Sequence, residues 1–251
     1  MTSTSHSTSP TGTTPASPGI GALLPPDNPT VARELRALVP PDLRVETVPL
    51  PPQEGELRER LLGYNQVLTE ATRSLRDSQR DVVYFACTGS SYLVGPDRDP
   101  ELQAALVAGG ATRPLTAAQA ILDTLSDLGK RRVLVVSPYP DWLTDLAVQY
   151  WNAAGLTVAG VSKVSAPQGI YALRTAEVVA ALRELRPEPG TCVLLSGTGM
   201  PTIDAISTVG DKLGVPVISS SLAAGYQALR RLDHPVGKAS CLANDLIGRW
   251  L

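Results

Sequence analysis

"FACTGSSYL" at residues 85–93 and "LSGTGMPTI" at 195–203 read as two versions of one loop. Each follows a short apolar run, VVYFA (82–86) or TCVLLS (191–196), and each leads into a stretch with helical spacing of apolar residues. Glycine-containing turns between apolar strands and helices are the connections of a parallel α/β sheet, whose ligands bind where strand ends open into loops. Cys87 in the first copy is replaced by Gly197 in the second. One unit used twice, with a thiol kept on one side only, is the pattern to be explained.

Further strands are predicted at IGALL (20–24), RVLVVS (132–137) and PVISS (216–220), with weaker candidates at LRVETV (43–48) and GLTVAG (155–160). Apolar residues at three- and four-residue spacing predict helices over 29–38, 56–76, 100–108, 116–128, 141–154, 175–185, 203–213 and 222–232, and a helical turn at 90–95. Strand alternating with helix defines an α/β protein with mostly parallel sheets. The repetition extends beyond the opening pair. ALLPPDNPT (22–30) resembles VVSPYPDWL (135–143), and TAAQAIL (116–122) resembles LAAGYQAL (222–229). Pairing Pro25 with Pro138, Cys87 with Gly197 and Ala117 with Ala223 gives offsets of 113, 110 and 106 residues, in the same order along the chain. That drift predicts a duplicated half with small deletions. The expected organisation is a disordered tail at 1–18, one lobe of 19–131 plus about 222–251, a second lobe of 132–221, and one cleft between the lobes.

The composition narrows the function classes. The chain has 251 residues, 43% hydrophobic and 18% charged, with a formal net charge of −2. This length supports one large core or two apposed lobes. Near-neutral charge argues against a nucleic-acid partner. No apolar run approaches the ~20 residues that span a bilayer, so no membrane partner is expected. Residues 1–18 are rich in Ser, Thr and Pro without the layout of a secretion signal. Three cysteines without paired spacing suggest a reduced, cytoplasmic setting. The two histidines, one of them in the tail, leave little material for a His-based triad or metal site. No C-x-x-C, H-E-x-x-H or P-loop pattern is present, and a homo-oligomer is compatible with these features.

Cys87-Thr88-Gly89-Ser90-Ser91 is the first candidate site. A helix N-terminus after Cys87 is expected to lower the thiol pKa. Thr88, Ser90 and Ser91 add hydroxyls, and Gly89 lets the backbone approach a ligand. Such a nest suits a carboxylate and charge developing on it. The competing reading makes Cys87 a small buried apolar residue. Gly197-Thr198-Gly199 repeats the nest without a thiol, or is simply a tight turn. Cys192 reads as core, and Cys241 has no supporting motif. Tyr139 offers a phenol donor or is a half-buried turn residue, while Asn28 is a ligand donor or an ordinary cap. With one Phe in the chain, no aromatic cage is expected.

The paired loops, PYPD (138–141), LLSGTGMPTIDAI (194–206) and GVPVISSSLAAGY (214–226) resemble the aspartate/glutamate racemase superfamily, closest to its maleate cis-trans isomerase and arylmalonate decarboxylase branch. The resemblance spans about residues 19–235. It implies two pseudo-symmetric flavodoxin-like lobes, a site in the cleft between them, no cofactor or metal, and a small carboxylate or dicarboxylate substrate. Racemases of the superfamily commonly use two cysteines. The first position matches Cys87; the second falls on Gly197. Arylmalonate decarboxylase has the mirror arrangement, with its one thiol in the second loop. In maleate isomerase the first cysteine adds to the substrate double bond, which implies that role for Cys87. Asn28 and Tyr139 match positions that hold carboxylates, whereas the stretch VSAPQGIYAL (164–173) lacks the further asparagine of that family. The implied alternatives are a decarboxylase with Cys87 as proton donor, an enediolate held by Thr88 and Tyr139, and a product of opposite handedness; a one-thiol racemase or epimerase; and a non-catalytic dicarboxylate-binding protein.

Overall fold

The computed structural model describes residues 18–76, 80–234 and 241–251. The predicted tail, apart from residue 18, lies outside the described residues. Strands β1 (Gly19–Leu24), β2 (Arg44–Pro49), β3 (Val82–Phe85) and β4 (Arg113–Thr116) form a parallel sheet in the order β2-β1-β3-β4. Strands β5 (Arg132–Ser137), β6 (Thr157–Lys163), β7 (Cys192–Leu195) and β8 (Val217–Ser219) form a second in the order β6-β5-β7-β8. The two halves therefore repeat one topology. Pro25 and Pro138 follow β1 and β5, Cys87 and Gly197 follow β3 and β7 closely, and Ala117 and Ala223 lie in the helices after β4 and β8.

The central strands are apolar because both faces are covered: β1, β3 and β7 are buried along their whole length. Edge strands look different. β6 alternates exposed and half-buried residues, and β4 reads RPLT, with Pro114 tolerated because β4 pairs only with β3. That absence of an apolar run is why periodicity does not reveal β4.

The helices are α1 (Val31–Leu38), α2 (Leu57–Gln66), α3 (Leu68–Arg73), α4 (Thr88–Val94), α5 (Asp99–Ala108), α6 (Ala117–Asp127), α7 (Asp141–Ala153), α8 (Thr175–Glu184), α9 (Ile203–Val209), α10 (Ser220–Arg231) and α11 (Leu242–Gly248). The stretch predicted as one helix over 56–76 breaks at Val67, whose ψ of 0 interrupts the α conformation. The one predicted over 203–213 ends as a 3₁₀ turn, Gly210–Leu213. α11 was not expected from the sequence.

α10 holds the molecule together. It packs against α6, its counterpart in the other half, and against α1. The α1 contact is close because residue 225 is glycine: a Cβ there would stand 3.0 Å from Leu38 Cβ. Every residue of α10 from Ser220 to Leu229 is buried. Hydrogen bonds tie the two halves where strands end. Thr198 Oγ1 donates to the Ala86 carbonyl at 2.9 Å, Thr30 Oγ1 to the Gly199 carbonyl at 2.8 Å, and Tyr92 Oη meets Ser196 Oγ at 2.7 Å. The Glu34 carboxylate of α1 accepts from the Thr202 and Ile203 amides at the start of α9.

Candidate active site

The loops after β1, β3, β5 and β7 border a cavity of about 1010 Å³, closed on its flanks by α2 and by residues 163–171. Cys87, Tyr139, Thr198 and Gly199 line it. Asn28 and Gly197 stand in the same loops, and Thr88, Gly89 and Ser90 in the first turn of α4, without lining the cavity themselves.

Cys87 caps α4 with extended backbone (φ −146°, ψ 93°) and is 4% exposed. Its sulfur lies 3.3 Å from Ser90 Oγ, which also lies 3.0 Å from the Leu61 carbonyl. One hydroxyl proton cannot serve both acceptors at once. Burial pushes the Cys87 thiol above its ordinary range, while the Ser90 hydroxyl and the Ser90 and Gly89 amides pull the other way. The expectation of a lowered thiol pKa is thus corrected: α4 is short, and desolvation outweighs its donors. Cys192 lies fully buried in β7, its thiol pushed up to about 12 by burial, and neither it nor Cys241 lines the cavity.

Tyr139 follows β5 in a turn held by Lys163, whose ammonium donates to the Tyr139 carbonyl, to Thr144 Oγ1 at 2.9 Å and to Asp141 at 3.1 Å. The Tyr139 hydroxyl meets Thr88 Oγ1 at 2.8 Å, joining a donor from each half beside the thiol-bearing loop. Burial, then neighbouring Tyr92 and Cys87, hold the Tyr139 phenol well above its usual range, so it acts as a neutral donor.

Asn28 takes the cap reading. Its Oδ1 accepts from the Thr30 and Val31 amides at 3.0 and 3.1 Å, capping α1. That consumes the carbonyl side and directs Nδ2 toward Thr198 Oγ1, 3.5 Å away. Gly197 adopts φ +117°, a conformation that glycine alone takes readily, and its amide donates to Ser220 Oγ at 3.3 Å.

Tyr64, Tyr139 and Tyr171 all line the cavity, although they lie far apart in sequence. Burial first, and then Cys87, raises the pKa of both Tyr64 and Tyr171. Tyr171 and Ile170 belong to the 164–173 stretch, which lacks the further asparagine of the family but carries this tyrosine. Arg60 and Lys163 also line the cavity and carried no motif.

Two matched parallel α/β halves, with a thiol in the crevice beyond their strand ends, define an enzyme fold of the aspartate/glutamate racemase type. A family model described as arylmalonate decarboxylase matches residues 20–242, and the chain belongs to that family. It is 27% identical to the maleate isomerase of Nocardia farcinica over 86% of this chain and 91% of that protein. It is 29% identical to the arylmalonate decarboxylase of Bordetella bronchiseptica over 67% of this chain and 73% of that one. A solved mutant of Nocardia farcinica maleate cis-trans isomerase, carrying a covalently bound succinylcysteine intermediate, shares the fold with a TM-score of 0.79 and 24% identity, covering 91% of this chain and 98% of its own.

Proposed function

We propose that the protein is a cysteine-dependent cis-trans isomerase of a small unsaturated dicarboxylate, with maleate as the reference substrate. The observation that carries this reading is a single cavity-lining thiol, Cys87, beside the Thr88–Tyr139 donor pair. The Cys87 thiolate adds to one alkene carbon. A C–S bond forms as the π electrons move onto the adjacent carboxylate, giving an enediolate. Tyr139, backed by its hydrogen bond with Thr88, stabilises that developing charge as a neutral donor. The former double bond is now single and rotates; return of the electrons expels Cys87 and leaves the trans isomer. No proton enters the carbon skeleton and no cofactor is required. In this reading the substrate lies between a lobe of 19–131 plus about 222–251 and a lobe of 132–221, as the packing of α10 on α1 and α6 supports.

One observation favours a second reading. Burial keeps the Cys87 thiol protonated, which suits a proton donor to an enediolate formed by loss of carbon dioxide from an arylmalonate. Leu61, Leu143 and Val164 give the cavity an apolar wall where a departing carboxylate would be destabilised. Proton NMR in D₂O with maleate and phenylmalonate in one tube separates the two. Fumarate without deuterium at carbon supports addition, rotation and elimination. Phenylacetate deuterated at its α-carbon, with maleate untouched, would replace isomerisation by decarboxylation.

A further inference from the structure

The segment after β6 presses on the second glycine loop. A Cβ on Gly199 would stand 2.5 Å from Tyr171 Cε1 and 2.6 Å from Tyr171 Cδ1. A Cβ on Gly197 would stand 2.8 Å from Ile170 Cδ1. The two glycines therefore let Ile170 and Tyr171 occupy space that side chains at 197 and 199 would need. Ile170 fills the slot of a second thiol, and Tyr171 is carried with it onto the cavity wall.

Tyr171 is 38% exposed and lines the cavity with Cys87. Its hydroxyl approaches the Asn28 side chain. Asn28 Oδ1 is committed to two backbone amides of α1, so its NH₂ group is the part left to donate. Thr198 Oγ1 stands at 3.5 Å, and the Tyr171 oxygen is the other acceptor beside this group, leaving the phenol proton itself to donate. A phenol O–H from the 164–173 stretch and an amide N–H from the loop after β1 thus form a donor pair separate from Thr88 and Tyr139. Two neutral donors on one spot suit a carboxylate.

We propose that Tyr171, together with Asn28, binds the second carboxylate of the substrate, and that Tyr171 is the residue by which this chain prefers a dicarboxylate over a monocarboxylate. The assignment rests on the dicarboxylate reading above. The loss of the second thiol and the gain of this donor are then one change, because Ile170 and Tyr171 are neighbours in a single 3₁₀ turn.

The test measures protection of Cys87 from iodoacetamide by maleate and by (Z)-but-2-enoate, which has one carboxylate, in wild type and in Tyr171→Phe. Wild type is protected by maleate at lower concentration than by the monocarboxylate. In Tyr171→Phe the maleate concentration for half-protection rises roughly tenfold or more, the usual effect of losing a hydrogen bond to a charged group. The monocarboxylate value, referred to each protein's own unliganded labelling rate, changes much less. Unchanged maleate protection, or equal weakening of both ligands, overturns the role of Tyr171. Absence of maleate protection in wild type instead removes the dicarboxylate reading, and this proposal with it.

Discussion

Cys87 is 4% exposed and its thiol lies above the ordinary range, so at neutral pH it mostly keeps its proton. A nucleophilic role requires the thiolate. Isomerase kcat/KM should therefore climb with pH through the normal thiol range and level off only above it, whereas a proton-donor role would leave activity level through that range and make it fall only above it. A pH–rate profile on maleate checks the sign. Ser90→Ala removes the hydroxyl that favours the charged sulfur, and iodoacetamide labelling of Cys87 at neutral pH should slow about tenfold. Gly197 carries a different constraint. Cysteine at this position would meet both a φ of +117° and the Ile170 side chain, so Gly197→Cys should lower stability by about 1–3 kcal/mol. Ile170→Ala in the same protein should restore only part of that loss in urea unfolding, because the backbone strain remains. Gly197→Cys with wild-type stability would show that the second-thiol slot is open.

Among the elements, α9 depends on a residue from the other half. Glu34 of α1 is 3% exposed and accepts the amides of Thr202, the N-cap of α9, and Ile203, its first residue, which otherwise would be buried without partners. Glu34→Ala should cost roughly 2–4 kcal/mol in urea unfolding, and Glu34→Gln clearly less because one oxygen remains to accept. Burial, the largest influence, raises the Glu34 carboxyl above its ordinary value of 4.5 despite the hydrogen bonds that oppose it. The folded state then holds that proton more tightly than the unfolded chain, so this group's stabilisation is greatest below 4.5 and declines as pH rises through the raised value. Glu34→Gln should flatten that decline. The central strands were legible because full burial demands continuous apolar runs, as in IGALL and VVYFA. RPLT of β4 was not, since an edge strand of four residues needs no such run. The split at Val67 was equally hidden: nothing in apolar spacing records one residue leaving the helical conformation.

At the scale of the whole molecule, repetition was the readable signal. Loops that match in sequence stand at corresponding strand ends of two sheets with the same order. Cys87, Tyr139, Thr198 and Gly199 could be chosen because strand-end loops in parallel sheets face the ligand. Tyr64, Tyr171 and Ile170 could not, because their approach to the site depends on how α2 and the segment after β6 fold over it. Charge on the cavity wall, Arg60 and Lys163, was hidden for the same reason. The central claim is that one thiol in this cleft performs the reaction, and conversion of maleate to fumarate by wild type and by Cys87→Ser, followed by NMR, tests it most directly. The account predicts fumarate from the wild type, and at least a ~10³-fold slower rate from Cys87→Ser, since the covalent step has no substitute nucleophile. Fumarate formed by Cys87→Ser at a rate near that of the wild type would contradict it.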